Sequence, residues 1–367
     1  MENSFRLLIV EDDKNEIVNY KDNLELFNED NKKDGFIIEA DFNTTLQDGI
    51  NAIKNNKYDG AIVDLKLNQD NIEAAEGNVI IKSIVGNLRM PAIVVSGFMG
   101  DLDPELKNET SLLRFYERGS IEIVEIFNVL KKIYNTGITK ILGEDGLIIK
   151  ELTKIFWERI STNLEYWISE SDNTTKIEKI VSRYIINHLK EGFETDENGE
   201  FEVYHSSEFY IVPPIKQNYF TGDIVEKVGI NYIILMPPCD MATNGKVQNI
   251  VLGKIEDINF SQIKDAKKKL EKDNSDDKAK FKILSLLNNT YSLNYHFLPQ
   301  TNAFSGGFID FRKIKSVKVK ELKVEYKRVG TISSEFIKDI ISRFSQYYSR
   351  QGQPNLDINA IYKKILL

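Results

Sequence analysis

A single cysteine, Cys239, stands among 367 residues, which excludes an internal disulfide framework and any zinc cage built on several thiolates. Proline is scarce at 8 and glycine modest at 21, so the chain is neither fibrous nor disordered by composition. No apolar run approaches the ~18 residues a membrane-spanning helix needs, and no secretory leader precedes the strand-like run that starts at Phe5. With the lone thiol, this leads us to expect a cytoplasmic protein without a membrane partner. Positive charge is also in deficit. Lys+Arg 48 against Asp+Glu 56 leaves −8, which opposes the broad attraction that nonspecific nucleic-acid binding relies on. What is present is a chain 41% hydrophobic and 28% charged, able to bury a full core and long enough for two or three domains of ~150 residues each.

From Phe5 to Tyr134, short apolar runs alternate with helical patterns, the βαβ texture of a parallel sheet covered on both faces. Strands are expected at 5–10, 36–41, 60–63, 92–95 and 112–116. Helical stripes fall at Ile17, Tyr20, Leu24 and Phe27, at Leu46, Ile50 and Ile53, at Val79, Ile80 and Ile84, and over 121–134, with a weak fourth slot at 103–108. Together they predict an α/β, flavodoxin-like (βα)5 domain over 1–135. A helical linker follows at 136–195, with two long helices flanking a turn at Ser171-Asp172-Asn173. The texture then turns to short strands over 196–367, an α+β domain for which a small β-barrel is one option. The charge-dense stretch 266–282 reads as a solvated helix inserted among those strands.

Glu11, Asp12 and Asp13 directly follow the first strand and Asp64 follows the third, so the doubly wound fold brings them to one carboxyl edge. Carboxylates that ionise side by side repel, and such a cluster holds a divalent cation; oxygen-only ligands favour a hard ion such as Mg2+. Asp64 could then act as nucleophile toward a phosphoryl group, Ser96 at the end of the fourth strand could bond a phosphoryl oxygen, and Arg118 beyond the fifth is the candidate cation.

The pieces Leu-Leu-Ile-Val-Glu-Asp-Asp at 7–13, Tyr-Asp-Gly-Ala-Ile-Val-Asp-Leu at 58–65, Gly77, and Pro-Ala-Ile-Val-Val-Ser-Gly at 91–97 resemble a response-regulator receiver domain. That resemblance implies that Asp12, Asp13 and Asp64 bind Mg2+, that Asp64 accepts a phosphoryl group, that Ser96 is the switch hydroxyl and that Phe115 is the switch aromatic. It also implies a histidine kinase or phosphotransfer protein as partner, in a phosphorelay of the two-component type. Two departures stand out: Arg118-Gly119 replaces the family's lysine, usually followed by proline, and the loop from Asp64 to Gly77 is long, with Lys66 as a second source of positive charge.

In the second half, Thr221-Gly222-Asp223-Ile224-Val225 and the apolar strand ending at Pro237-Pro238-Cys239-Asp240 are similar to the small barrel of MazF-like toxins. The overall order of motifs is similar to receiver-fused proteins of bacterial conflict and phage-defence systems, which implies an antiviral setting. Cys239 with His205 or His296, and Asp240 or Asp310 as orienting carboxylate, has the composition of a thiolate nucleophile; Cys239, His296 and Asp310 could instead hold a metal. Arg343 and Arg350 are candidate anion contacts.

The expectation is therefore a response-regulator-like signalling protein with a C-terminal output domain. The alternative is a nuclease-like effector enzyme whose receiver is degenerate and serves for docking. No helix-turn-helix pattern is present, so DNA-binding output is disfavoured. The helix over 121–134 is apolar on more than one face, to be covered by the helix over 152–167 or by a second copy in a homodimer.

Overall fold

Phe5, Leu7 and Ile9 point to one side of β1 (Asn3–Val10) and Leu8 and Val10 to the other, and all five are buried. A strand can be apolar on both faces only where both are covered, which is the condition of a central strand in a parallel sheet. In the computed structural model, which describes residues 3–67, 75–143, 146–169, 174–196, 198–243, 245–351 and 354–366, the chain divides into two compact units, Met1–Phe201 and Glu202–Leu367.

In the first unit β1 is followed by α1 (Lys14–Asn31), β2 (Phe36–Asn43), α2 (Leu46–Asn55), β3 (Gly60–Val63), α3 (Gly77–Asn87), β4 (Ala92–Ser96), β5 (Leu113–Glu117) and α4 (Ile123–Asn135). The strands are all parallel in the order β2-β1-β3-β4-β5, a flavodoxin-like doubly wound sheet whose order reverses between β1 and β3. One face packs on α1 and α4 through Tyr20, Phe27, Ile126, Phe127 and Leu130. The other packs on α2 and α3 through Ala52, Ile53, Ile80, Ile81 and Ile84.

The fourth helical slot is where the fold departs from expectation. Between β4 and β5 the described chain forms no α-helix, only two short 3-10 turns, Met99–Asp101 and Pro104–Leu106. Gly97, Gly100 and Pro104 each work against an α-helix here; Leu102 and Leu106 are buried in the core and Met99 packs half-buried against it. The stretch is tied to α3 instead. Asn78 donates to the Asp101 carbonyl at 2.9 Å and accepts from the Asp103 amide at 3.1 Å, and Lys82 pairs with Asp103 at 2.6 Å and with Glu105 at 3.2 Å.

The segment expected as a linker belongs to the first unit. It forms α5 (Ile138–Leu142), α6 (Leu147–Lys154), one π-helical turn at Ile155–Ile160, α7 (Ser161–Ser169) and α8 (Thr174–Gly192). Trp167 stacks edge-on against Tyr184 at 5.1 Å, joining α7 to α8. The expected turn at Ser171-Asp172-Asn173 lies outside the described residues.

The second unit contains β6 (Tyr210–Ile211), β7 (Asp223–Lys227), β8 (Ile230–Ile234), α9 (Pro238–Met241), β9 (Asn249–Glu256), α10 (Ser261–Lys272), α11 (Asp277–Leu287), β10 (Tyr295–Leu298), β11 (Gly307–Lys318), α12 (Val319–Glu325), β12 (Lys327–Ile332), α13 (Ser334–Ser349) and α14 (Ile358–Ile365). Its seven strands pair antiparallel in the order β10-β11-β9-β8-β7-β12-β6. Laid flat, the two edges would be roughly 29 Å apart at ~4.8 Å per strand. Yet the Tyr210 hydroxyl on β6 donates to the Pro299 carbonyl just past β10 at 2.8 Å. The sheet is therefore curled into an open, barrel-like arc, and α13 fills its concave side with Phe336, Ile337, Ile340 and Phe344.

Of the short strands that the sequence predicts at 201–204, 209–212, 223–225, 232–236, 250–252 and 308–311, the first makes only one bridge, Phe201 to Thr195, while β10 and β12 were not among them. The charge-dense insertion is a hairpin of two amphipathic helices rather than one solvated helix. Ile263, Ala266, Ala279 and Leu286 are buried, and Asp276 caps α11 by accepting from the Ala279 amide. No helix among the described residues is long and apolar enough to cross a membrane.

Candidate functional site

Because β1 and β3 are hydrogen-bonded neighbours, the residues that leave their carboxyl ends meet: the Asp64 amide donates to the Val10 carbonyl at 2.9 Å. This is the switch point of the sheet, where helices depart to opposite faces and a crevice opens. Three successive carboxylates follow Val10, and the backbone sends them different ways. Glu11 is turned inward and is 3% exposed. Asp12 lies at the rim. Asp13 is the N-cap of α1, its Oδ1 accepting from the Asn15 amide at 2.8 Å.

The group the structure assembles is Glu11, Asp12 and Asp64, each with a carboxylate oxygen within 4.8 Å of the others. Asp13, expected in this set, is engaged as a cap and is not a member. Glu11 was noted as an acidic neighbour but not assigned as a ligand. The signal that could have found it is extended-chain alternation at the strand exit, which points Glu11 to the side opposite Val10.

Arg118 closes the group. Its Nη2 lies 2.7 Å from Glu11 Oε2 and 3.1 Å from Asp64 Oδ2. The position is set by β5: the Arg118 amide donates to the Ser96 carbonyl at 3.0 Å, which extends the β4–β5 ladder by one residue. Asp64 Oδ1 accepts from the Leu65 amide at 2.7 Å, and Glu11 Oε1 from the Asp13 amide at 3.1 Å. Burial, reinforced by the Asp64 charge, pushes the Glu11 carboxyl up to about 8 against the pull of Arg118. Burial also raises Asp12, with Asp64 and Asp13 adding to it.

Three carboxylates and one guanidinium carry two excess negative charges when ionised, the charge of one divalent cation. The donors are all oxygen, so the residues present fit Mg2+, with Glu11, Asp12 and Asp64 as its holders.

Gly77 explains how α3 approaches the site. A Cβ built there would stand 2.1 Å from the Asp64 carbonyl oxygen, so only glycine lets the first turn of α3 pack on the backbone of Asp64. Ser96 is fully buried at the end of β4, its Oγ accepting from the Phe98 amide at 3.2 Å. Phe115 on β5 pairs in register with Val94 and packs, half-buried, on the α2–α3 side of the sheet. Lys66 reaches Asp101 at 3.1 Å and lies 3.9 Å over the Phe98 ring.

In the second unit the structure does not assemble the expected thiolate or metal site. Cys239 is exposed on α9, after β8, with Asp240 paired to Lys246 at 2.6 Å. His296 is buried on β10, and three strand spacings, roughly 14 Å, separate β10 from β8. Asp310 is held by Arg312 through Nε at 2.9 Å and Nη2 at 2.8 Å. His205 caps the 3-10 turn Ser206–Phe209. Arg343 donates to the Ser292 and Tyr295 carbonyls, 3.0 Å each, and so fastens α13 to the start of β10 rather than offering an anion site.

No protein-family model matches the chain, and no curated protein matches it. Solved structures do match the first unit. A response regulator receiver domain (CheY-like) from Methylobacillus flagellatus is 25% identical, covering 36% of this chain and 99% of that one with a TM-score of 0.28. The receiver domain of a sensor histidine kinase from Pseudomonas aeruginosa PAO1, described with a magnesium ion coordinated in its active site cleft, is 14% identical over 35% of this chain and 96% of its own, TM-score 0.27. The response regulator protein TrrA from Thermotoga maritima, in complex with Mg(2+)-BeF, is 16% identical over 35% and 98%, TM-score 0.24.

Proposed function

We propose that the first unit is a Mg2+-dependent phosphoacceptor of the response-regulator kind, with Asp64 as the residue phosphorylated. The observation that carries this reading is the convergence of Glu11, Asp12 and Asp64 on one another and of Arg118 on two of them at the switch point of the sheet. Asp64 attacks the phosphorus of a phosphohistidine on a histidine kinase or phosphotransfer protein. The P–N bond breaks, the imidazole leaves with a proton, and an acyl phosphate remains on Asp64. Mg2+ at the three carboxylates supplies charge screening between the nucleophile and the phosphoryl oxygens. Arg118 stays paired with Glu11 and turns its remaining donors to the phosphoryl group, where a planar fork suits two oxygens. Ser96 donates its hydroxyl to a third phosphoryl oxygen, and Phe115 moves toward the space Ser96 vacates.

A second reading is favoured by the same guanidinium. Arg118 donates to Asp64 at 3.1 Å and so offsets its charge from within the chain, which suits a constitutive docking module that is never phosphorylated. One experiment separates the two. Incubation with acetyl phosphate and Mg2+, followed by intact-mass measurement, is expected to show a single phosphoryl adduct that is absent from Asp64→Asn. A protein that neither gains this mass nor binds beryllofluoride in Mg2+ overturns the phosphoacceptor reading and leaves the docking one.

A further inference from the structure

The chain-wide charge of −8 conceals two opposite signs. Met1–Phe201 carries 23 Lys+Arg against 38 Asp+Glu, a net of −15, whereas Glu202–Leu367 carries 25 against 18, a net of +7. Within the second unit the excess is concentrated in the stretch from Arg312 to Arg328, which holds eight cations and two carboxylates. Three of those cations are spoken for: Arg312 pairs with Asp310 at 2.8 Å, Lys313 with Glu256 at 2.6 Å, and Arg328 with Asp223 at 2.8 Å. The two carboxylates, Glu321 and Glu325, both bind Lys227. Lys315 lies over the Tyr232 and Tyr326 rings at 3.5 and 5.1 Å, which leaves Lys318, Lys320, Lys323 and Lys327 exposed and with no carboxylate partner among the described residues.

These four follow one another along the chain: the last residue of β11, which is also the cap of α12, two exposed positions of α12, and the first residue of β12. Lys320 and Lys323 are three apart on one helix, a like-charge spacing that destabilises it unless an anion lies alongside. Apolar neighbours in the same stretch are turned inward. Val317, Leu322 and Tyr326 are buried, and Val324 is the one large apolar side chain left exposed on α12. Insertion into a membrane needs an apolar face, and here that face is already used by the sheet. A run of exposed lysines with no apolar anchor matches instead a polymer whose charge repeats along its length.

We propose that the second unit binds the phosphate backbone of a nucleic acid along Lys318, Lys320, Lys323 and Lys327. Sequence readout is no part of this: the contacts are those of lysine ammonium groups with phosphodiester oxygens. The inference is independent of the phosphoacceptor reading, because it uses none of those residues.

The test is fluorescence anisotropy of the full chain with labelled single-stranded RNA, single-stranded DNA and duplex DNA of equal length, over a range of salt. Saturable binding is expected to at least one of them, with a slope of log affinity against log salt of about −3 to −4 for four contacts. The polymer bound most tightly identifies the source of the phosphate. Replacing Lys318, Lys320 and Lys323 together by Gln is expected to lower affinity at least tenfold and flatten the slope by about 2. Replacing Lys268, Lys269 and Lys272 on α10 by Gln removes the same charge elsewhere in the unit and is expected to leave both values nearly unchanged. No saturable binding to any of the three polymers at low salt overturns the proposal. Equal losses in the two triple variants overturn it too, since bulk charge and not the run would then be responsible. Lysine-dependent binding to phosphatidylserine vesicles without binding to nucleic acid would assign the run to a membrane surface instead.

Discussion

Arg118 and Glu11 are 107 residues apart in the chain, yet Arg118 Nη2 lies 2.7 Å from Glu11 Oε2, and the same nitrogen lies 3.1 Å from Asp64. One guanidinium nitrogen therefore compensates two buried carboxylates. Glu11 is the one of three consecutive acids that makes this contact, its other oxygen accepting from the Asp13 amide.

Removing that nitrogen leaves Glu11 and Asp64 facing each other without compensation. Arg118→Ala is expected to lower stability by about 1.5–3 kcal/mol in the presence of a chelator, and Mg2+ is expected to restore most of it. Thermal unfolding with EDTA and then with excess Mg2+ measures both. Identical midpoints for wild type and variant in EDTA would show that Arg118 stabilises nothing at this site.

Glu11 and Asp13 have the same charge but different tasks. Glu11→Gln removes a charged donor from the cluster and is expected to weaken Mg2+ binding about tenfold or more. Asp13→Ala is expected to leave Mg2+ affinity nearly unchanged while costing about 1 kcal/mol through loss of the α1 cap. Titration of each variant with Mg2+, alongside urea unfolding, checks the assignment; the reverse pattern would place Asp13 in the metal set after all.

Gly77 and Gly86 lie on the same helix and give opposite expectations. Alanine at 77 brings a Cβ 2.1 Å from the Asp64 carbonyl oxygen, so Gly77→Ala is expected to cost about 1–3 kcal/mol and to slow phosphoryl uptake by displacing Asp64. At Gly86 nothing lies within 4 Å, and Gly86→Ala is expected to stabilise by about 0.5–1 kcal/mol. Denaturant unfolding of the pair, with the uptake rate for Gly77→Ala, tests the backbone contact directly.

His296 makes the second unit sensitive to acid. Burial, with the charge of Arg343 nearby, lowers its pKa to about 3, and the Asp339 carboxylate at 3.6 Å is too exposed and too distant to reverse this. The unfolded chain protonates this histidine near 6.5 while the folded one does not. Stability from His296 is therefore complete above 6.5 and is lost as pH falls toward 3. Between pH 7 and 5 the loss is about 2 kcal/mol at 1.36 kcal/mol per unit. Urea unfolding at the two pH values is expected to show this in wild type and not in His296→Leu. Equal pH dependence in both proteins would remove His296 from the account.

The parallel domain was largely readable in the sequence because its signals are local. β1 and β3 are continuous apolar runs, as strands buried on both faces must be, and Asp64 and the acids after Val10 stand directly at the strand ends. Ser96 ends β4 and Arg118 directly follows β5, so both are marked by the same strand ends. The absent fourth helix was less readable. Asp103, Leu106 and their neighbours carry a faint helical spacing, and only the pairing of Asp103 with Asn78 and Lys82 shows that the segment is anchored in another form.

What the amino-acid order determined by itself is the alternation of buried strands and helical stripes over 5–134, and with it the edge at which the carboxylates gather, because hydrophobic period and strand ends are properties of neighbouring residues. The tertiary structure decided which of Glu11, Asp12 and Asp13 enter the cluster, since three adjacent side chains leave a strand end in directions set by the helix and strand they must join. It also decided that Cys239 and His296 stay apart. Strand order in the antiparallel sheet is fixed by pairings between residues distant in the chain, such as Tyr295 with Asp310 and Lys254 with Tyr232, and no local pattern encodes them. Charge followed the same rule: its total is a property of composition, but its separation into an acidic and a basic unit emerges only once the fold shows where one unit ends and the other begins.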